Sequence, residues 1–317
     1  MKILVTGGAG FIGSHLCEKL LGENHEVVCV DNLLTGKEDN IKNLFEEKAF
    51  TFIKYDVINP LPANVKKVDV ILHLASPASP NHHSKISYHA LPEETMLVNT
   101  MGTYELLKKA FEEKAVFLFA SSSEVYGDPL EHPQNENYLG NVSTTGPRSV
   151  YDEAKRFGET ITSYFNRDKK VDTRIARIFN TFGPKMQKDD MRMIVSFITQ
   201  ALAGKPITVF GDGTQTRALC YIDDTVDGLL KLAFAKNASS EVVNIGSPEE
   251  HTVLEYAQLV KKLTQSKSEV IKSEPLPQDD PKKRRPDISK ARKLLSWEPK
   301  TSLEDGLRKM IEYVKSI

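Results

Sequence analysis

The first 21 residues leave little choice of fold. Lys2–Thr6 is a short apolar run without alternation, it ends in Gly7-Gly8-Ala9-Gly10-Phe11-Ile12-Gly13, and Gly13–Leu21 carries apolar residues at helical spacing. A strand buried on both faces, a glycine turn and a helix open a β-α-β unit. The pattern recurs: Glu26–Val30, Phe50–Tyr55, Val68–Leu74, Val116–Ala120 and Thr173–Phe179 read as strands, and Thr95–Glu113 and Val150–Arg167 as helices. Strands alternating with helices predict an α/β fold, a Rossmann-type doubly wound parallel sheet.

Beyond residue 180 the texture changes. Met191–Ala203, Val226–Ala235, His251–Thr264, Pro286–Leu295 and Leu303–Val314 read as helices. Pro206–Phe210, Ala218–Tyr221 and Val242–Ile245 read as short strands, and Ser266–Pro286 as a surface-draped segment rich in Pro and charge. A chain of 317 residues fits two domains at about 150 residues each. The expected division is a dinucleotide domain over 1–181 with returning segments near 218–246, and a smaller α/β substrate domain from 182–217 and 247–317.

Gly7, Gly10 and Gly13 fit the G-x-x-G-x-x-G spacing that lets a backbone approach a pyrophosphate at a helix N-terminus. Asp31 ends the next strand, 18 residues past Gly13. A carboxylate there accepts from ribose hydroxyls and repels a 2′-phosphate, which favours NAD over NADP. Asp56, after the third strand, is placed to accept from an adenine amino group. Tyr151 and Lys155 stand four apart on a helix and share a face. A neighbouring ammonium and a positive nicotinamide ring together lower a phenol's pKa and make the phenolate a usable base near neutrality, so the Tyr151 pKa is expected to fall with both in place.

Composition excludes other classes. Lys plus Arg is 42 against 43 Asp plus Glu, so there is no basic footprint for nucleic acid and no field for an anionic membrane. No run of 18 apolar residues spans a bilayer. Cys17, Cys29 and Cys220 are too sparse for a disulfide scaffold, and free thiols in a cytoplasmic protein are expected. His82, His83 and His89 cluster, but no further ligand spacing supports a metal site.

These pieces resemble the extended short-chain dehydrogenase/reductases that act on nucleotide sugars. The glycine cluster, His73-Leu74-Ala75, Ser121–Gly127, Tyr151 with Lys155, Arg177-Ile178-Phe179-Asn180, Gly183-Pro184 and Gly211-Asp212-Gly213 carry the resemblance over nearly the whole chain. Within that family the chain is most similar to the UDP-glucuronate decarboxylases, through Ser121–Pro133, Arg174–Thr181, Gln215-Thr216-Arg217, and Gln278–Pro281 through Arg284 to Pro286-Asp287-Ile288. The resemblance implies tightly held NAD, a UDP-sugar substrate, and a homodimer formed through Thr95–Glu113 and Val150–Arg167 as a four-helix bundle.

The resemblance also implies roles. Cofactor contacts would come from Gly7, Gly10, Phe11, Ile12, Gly13, Asp31, Asn32, Asp56, Val57, Leu74, Ala75 and Asn99, together with Tyr151 and Lys155. Tyr151 would take the C4 hydroxyl proton, Ser122 (where the family more often has Thr) would bond the C4 oxygen, and Ser123 and Glu124 would line the C5/C6 side. Asn180 and Arg217 would hold the diphosphate, Arg284 the sugar and diphosphate end, and Thr208 to Phe210 the uracil, partly through backbone groups, with Arg192 on the same wall. The stretch between Pro80 and Thr95 is about five residues longer than is usual in the decarboxylases. Three other readings are weighed. A 4,6-dehydratase is disfavoured by Ser123 where the dTDP-glucose enzymes carry an acid, although dehydratases acting on GDP-mannose also carry serine there; a 4-epimerase has no need of Glu124; a non-catalytic NAD-binding sensor would be expected to lose Tyr151 or Lys155.

Overall fold

The computed structural model describes residues 1–276 and 280–317, so Gln278 and Asp279 of the motif above lie outside it. Strands β1 (Lys2–Thr6), β2 (Glu26–Asp31), β3 (Phe50–Lys54), β4 (Val70–His73), β5 (Val116–Ser122) and β6 (Thr173–Ile178) lie close to their expected bounds. Between them run helices α1 (Phe11–Gly22), α2 (Pro92–Leu97), α3 (Thr103–Glu113) and α4 (Ser149–Lys169). Next come β7 (Thr181–Phe182), α5 (Met193–Leu202), β8 (Ile207–Val209), β9 (Thr216–Ala218), β10 (Cys220–Tyr221), α6 (Ile222–Phe234) and β11 (Val242–Ile245). Then follow β12 (Glu250–Thr252), α7 (Val253–Thr264), β13 (Val270–Lys272), α8 (Ser289–Leu295) and α9 (Leu303–Ser316). The central sheet has the order β11-β6-β5-β4-β1-β2-β3 and is parallel throughout, the doubly wound arrangement expected. Its strand order reverses between β1 and β4, where a crevice opens at the carboxyl ends of the strands.

Three segments depart from the sequence reading. The helix expected over Thr95–Glu113 is interrupted by a π turn at Val98–Gly102. Asn99 Nδ2 donates to the Thr95 carbonyl at 2.8 Å and the His73 ring bonds the Val98 carbonyl at 3.3 Å, side-chain partners that compete with the regular helical ladder. Ser266–Pro286 is not simply draped over the surface. Val270–Lys272 pairs in parallel with β8, and Arg284 is buried, its charge met by a buried carboxylate. Met191 adopts φ +56°, which delays α5 to Met193.

The larger core cluster runs from Ile3 and Leu16 through Phe182, Trp297 and Met310, so the late helices share a core with the first strands. Cys17, Cys29 and Cys220 are free and buried, in line with the sequence reading. Among the described residues no helix is long and apolar enough to cross a membrane.

Candidate active site

β1 delivers the chain into Gly7 at φ +71°, and a Cβ there would lie 2.7 Å from the Ala75 backbone. A side chain on Gly13 would come within 2.1 Å of the Gly7 carbonyl. Both positions therefore need glycine. Gly10 precedes α1 without a side-chain cap, which leaves first-turn N–H groups open towards the crevice. Asp31 Oδ2 accepts from Ala9 N at 3.0 Å and Oδ1 from Leu33 N at 2.8 Å. Burial pushes its carboxyl pKa up while those N–H groups hold it down. Two of its roughly four lone-pair sites stay available to a diol. Asn32 donates to Asp56 Oδ2 at 3.0 Å, and Ile58 N to Oδ1 at 3.1 Å.

These residues, with Phe11, Ile12, Val57, Leu74 and Ala75, line one cavity of ≈ 280 Å³ that reaches Tyr151, Lys155, Ser122, Ser123 and Glu124. The glycine cradle, open helix end and diol-facing carboxylate fit NAD. Asn99 stands one layer behind, donating to Ser76 Oγ at 2.8 Å, and Ser76 lines the cavity in its place.

Tyr151 and Lys155 are both buried on α4. Lys155 Nζ donates to the Ala120 carbonyl at 2.7 Å and lies 5.7 Å from the Tyr151 ring centroid. Burial pushes the Lys155 pKa down to about 7. Burial pushes the Tyr151 phenol up to about 12, outweighing the Ser122 hydroxyl and the Arg192 charge; a positive nicotinamide ring is the further charge on which the expected lowering counts. Tyr88, from the longer segment, stacks on Tyr151 at 4.8 Å and 14°.

Glu124 sits on a tight turn after β5, where its N–H donates to Ser122 Oγ at 3.2 Å. Its carboxylate takes a two-pronged bond from Arg284, with Nη2 to Oε2 at 2.7 Å, and a further bond from Arg148 Nη2. All three side chains are buried. The two guanidinium charges outweigh burial and hold the Glu124 carboxyl well below the usual carboxylate range. Glu124 is therefore a fixed anion and not a proton donor. Arg148 Nη1 reaches Asp280 at 3.3 Å, and Arg217 Nη2 bonds the other Asp280 oxygen at 2.6 Å.

Residues 3–246 match the NAD dependent epimerase/dehydratase family. The chain belongs to that family. It is 50% identical over 312 residues to UDP-glucuronic acid decarboxylase 1 of Danio rerio, covering 98% of this chain and 72% of that one. It is 48% identical over 313 residues to UDP-glucuronic acid decarboxylase 6 of Arabidopsis thaliana, covering 98% and 88%. A solved UDP-glucuronic acid 4-epimerase from Bacillus cereus, in complex with UDP-glucuronic acid and NAD, superposes with a TM-score of 0.87 at 33% identity and covers 100% of this chain and 99% of that one.

In this epimerase/dehydratase family member a second cavity of ≈ 390 Å³ continues from the first past Glu124, Asn180 and Arg192. Thr208, Phe210, Arg217 and Arg284 line it, so the structure brings the six sequence-predicted substrate residues together. Arg192 pairs with Asp190 at 2.9 Å. Part of the Thr208–Phe210 backbone is engaged within the chain. Thr208 N donates to Gln200, the Val209 carbonyl accepts from Ser273 N, and the Phe210 carbonyl accepts from Gln215. β13, unforeseen in the sequence, pairs with one edge of β8.

The structure also adds Glu274 to the histidine pair. His83 Nε2 lies 3.2 Å from its carboxylate and His82 Nε2 3.6 Å, with all three residues exposed. The contact ties the longer rim segment to the chain just past β13.

Sequence reasoning missed Arg148, Asp280 and Tyr88. A signal existed for Arg148, because it lies three residues before Tyr151 and four before Asp152 on the same helical face.

Proposed function

We propose that this protein decarboxylates UDP-glucuronate to UDP-xylose through a 4-keto intermediate. The observation that carries the reading is a Tyr–Lys pair beside a glutamate locked as an anion between two arginines. Oxidation at C4 is possible there, and Ser123 stands where a dehydration of the dTDP-glucose type would need an acid. Relatives matched over 98% of this chain and named UDP-glucuronic acid decarboxylases support it.

Bound NAD would accept the C4 hydride and later return it. With the Lys155 ammonium and a positive nicotinamide ring beside it, Tyr151 would be held as phenolate and would take the C4 hydroxyl proton as that hydride leaves, while Ser122 bonds the C4 oxygen. The carboxylate at C5 is then β to a ketone. Its C–C bond breaks, carbon dioxide leaves, and the electron pair becomes the enolate of C5 and C4. Tyr151 donates a hydrogen bond to the enolate oxygen where charge develops. Glu124 orients the water that protonates C5. Lys155 holds the nicotinamide ribose and the Tyr151 proton path. Residues 182–217 and 247–317 carry Thr208, Phe210, Arg217 and Arg284 and act as the nucleotide-sugar cap.

Purified protein given UDP-glucuronate releases carbon dioxide and a UDP-pentose, followed by mass spectrometry. The solved 4-epimerase, crystallised with UDP-glucuronic acid, motivates a second reading. Release of UDP-galacturonate with no carbon dioxide would establish it and sink the first.

The dimer proposal rests on apolar side chains left exposed along two helices: Met96, Met101, Tyr104 and Phe111 on α2 to α3, and Phe157 and Tyr164 on α4. A scattering mass of one chain would overturn it.

A further inference from the structure

Asp280 has no role in the chemistry above, yet it sits at the centre of the charge network. Its Oδ2 accepts from Arg217 Nη2 at 2.6 Å and its Oδ1 from Arg148 Nη1 at 3.3 Å. Arg148 in turn bonds Glu124. Glu124, Arg148, Asp280 and Arg217 thus form one line of alternating charge along the wall of the second cavity, drawn from four separate stretches of chain. The two bonds to Asp280 are unequal. The one to Arg217 is short for a charge-assisted bond, and the one to Arg148 is long. Asp280 is the most exposed member, its side chain one-fifth accessible against 5% for Arg148 and 11% for Arg217 and Glu124.

An arginine that grips a diphosphate must offer its N–H fork to phosphate oxygens. Here part of that fork on Arg217 is already taken by a carboxylate. Any diphosphate entering along this wall competes with Asp280 for Arg217, and two phosphoryl charges outbid one carboxylate charge. Once displaced, Asp280 keeps its other partner. Its full charge then falls on Arg148, and the long bond can close to an ordinary charge-assisted length. Because the guanidinium is planar and rigid, anchoring one arm fixes the arm that holds Glu124.

We propose that Asp280 is a positioning residue that competes with the substrate's diphosphate for Arg217 and, when displaced, steadies Arg148 against Glu124. Nucleotide occupancy is thereby relayed to the sugar end without a moving domain. This inference rests on the UDP-sugar reading above.

The test uses UDP alone as probe in titration calorimetry of the full-length protein, with turnover of UDP-glucuronate measured in parallel. Asp280→Asn removes the competitor, so UDP binds about fivefold more tightly, near the upper end of what a partly exposed ion pair is worth. In the same variant kcat falls and KM falls with it, because Arg148 has lost its anchor. A merely structural role would weaken UDP binding instead. Asp280→Glu keeps the charge and is expected to bind UDP as the wild type does. If Asp280→Asn binds UDP no more tightly than wild type, or if both variants tighten it equally, the relay is overturned while the functional reading stands. If the wild-type protein binds no UDP, the functional reading fails first.

Discussion

Tyr151→Phe lowers turnover of UDP-glucuronate by about three orders of magnitude, within the 10²–10⁴-fold range typical of a positioned general base. The substitution is nearly isosteric. The ring keeps its stack on Tyr88 at 4.8 Å, and α4 keeps Lys155 on the Ala120 carbonyl. What is lost is one oxygen that serves twice, first taking the C4 proton and then bonding the enolate. NAD affinity, measured by calorimetry, stays near wild type, since the glycine turn and Asp31 belong to β1, α1 and β2 at the other end of the cavity. A variant that turns over within tenfold of wild type would remove Tyr151 from the mechanism. Loss of NAD binding would recast it as a structural residue.

The second large effect is expected at Glu124. Glu124→Gln keeps the shape but leaves Arg148 and Arg284 buried without their shared carboxylate. Breaking a buried pair from one side costs about 3–5 kcal/mol of stability, because charge stays behind uncompensated. Asp280 and Asp152 beside Arg148 soften that loss, so the lower end is expected. Denaturant midpoints read it. The chemical consequence is more specific. Oxidation at C4 and loss of carbon dioxide do not need the Glu124 charge, whereas delivery of a proton to C5 does. Turnover to UDP-xylose therefore drops by about 10²-fold, and enolate that escapes the site takes its C5 proton from bulk water, so UDP-4-keto-pentose rises as a share of product by mass spectrometry. A variant with the wild-type product ratio would place Glu124 outside the protonation step.

Much of this was legible in the sequence where the information is local. β1, β2, β4 and β5 are largely buried and read as nearly continuous apolar runs, while the edge strand β3 is half exposed. The glycine turn, Asp31, and the four-residue spacing of Tyr151 and Lys155 need no partner from elsewhere to be recognised. The hidden part depends on contacts between distant positions. Glu124 and Arg284 are 160 residues apart, and no periodicity links them. Lys282-Lys283-Arg284-Arg285 looks like a solvated charge run until Glu124 draws one of its members inward. β13 is three residues long and gains its identity only by pairing with β8. Burial of the Tyr151 phenol, which sequence spacing does not report, works against the lowering by neighbouring charge.

The place of β11 has a consequence for how the chain is made. It pairs in parallel with β6 and closes that end of the sheet, yet its first residue, Val242, comes 64 residues after Ile178, the last of β6. A ribosome therefore delivers six strands of the cofactor sheet, then a long stretch of cap, and only afterwards the seventh. Through that interval β6 presents an unpaired edge, the kind of surface on which nascent chains pair wrongly. A fragment ending near residue 181 would carry the same bare edge permanently, so the cofactor-binding half cannot be obtained by cutting the gene at its midpoint.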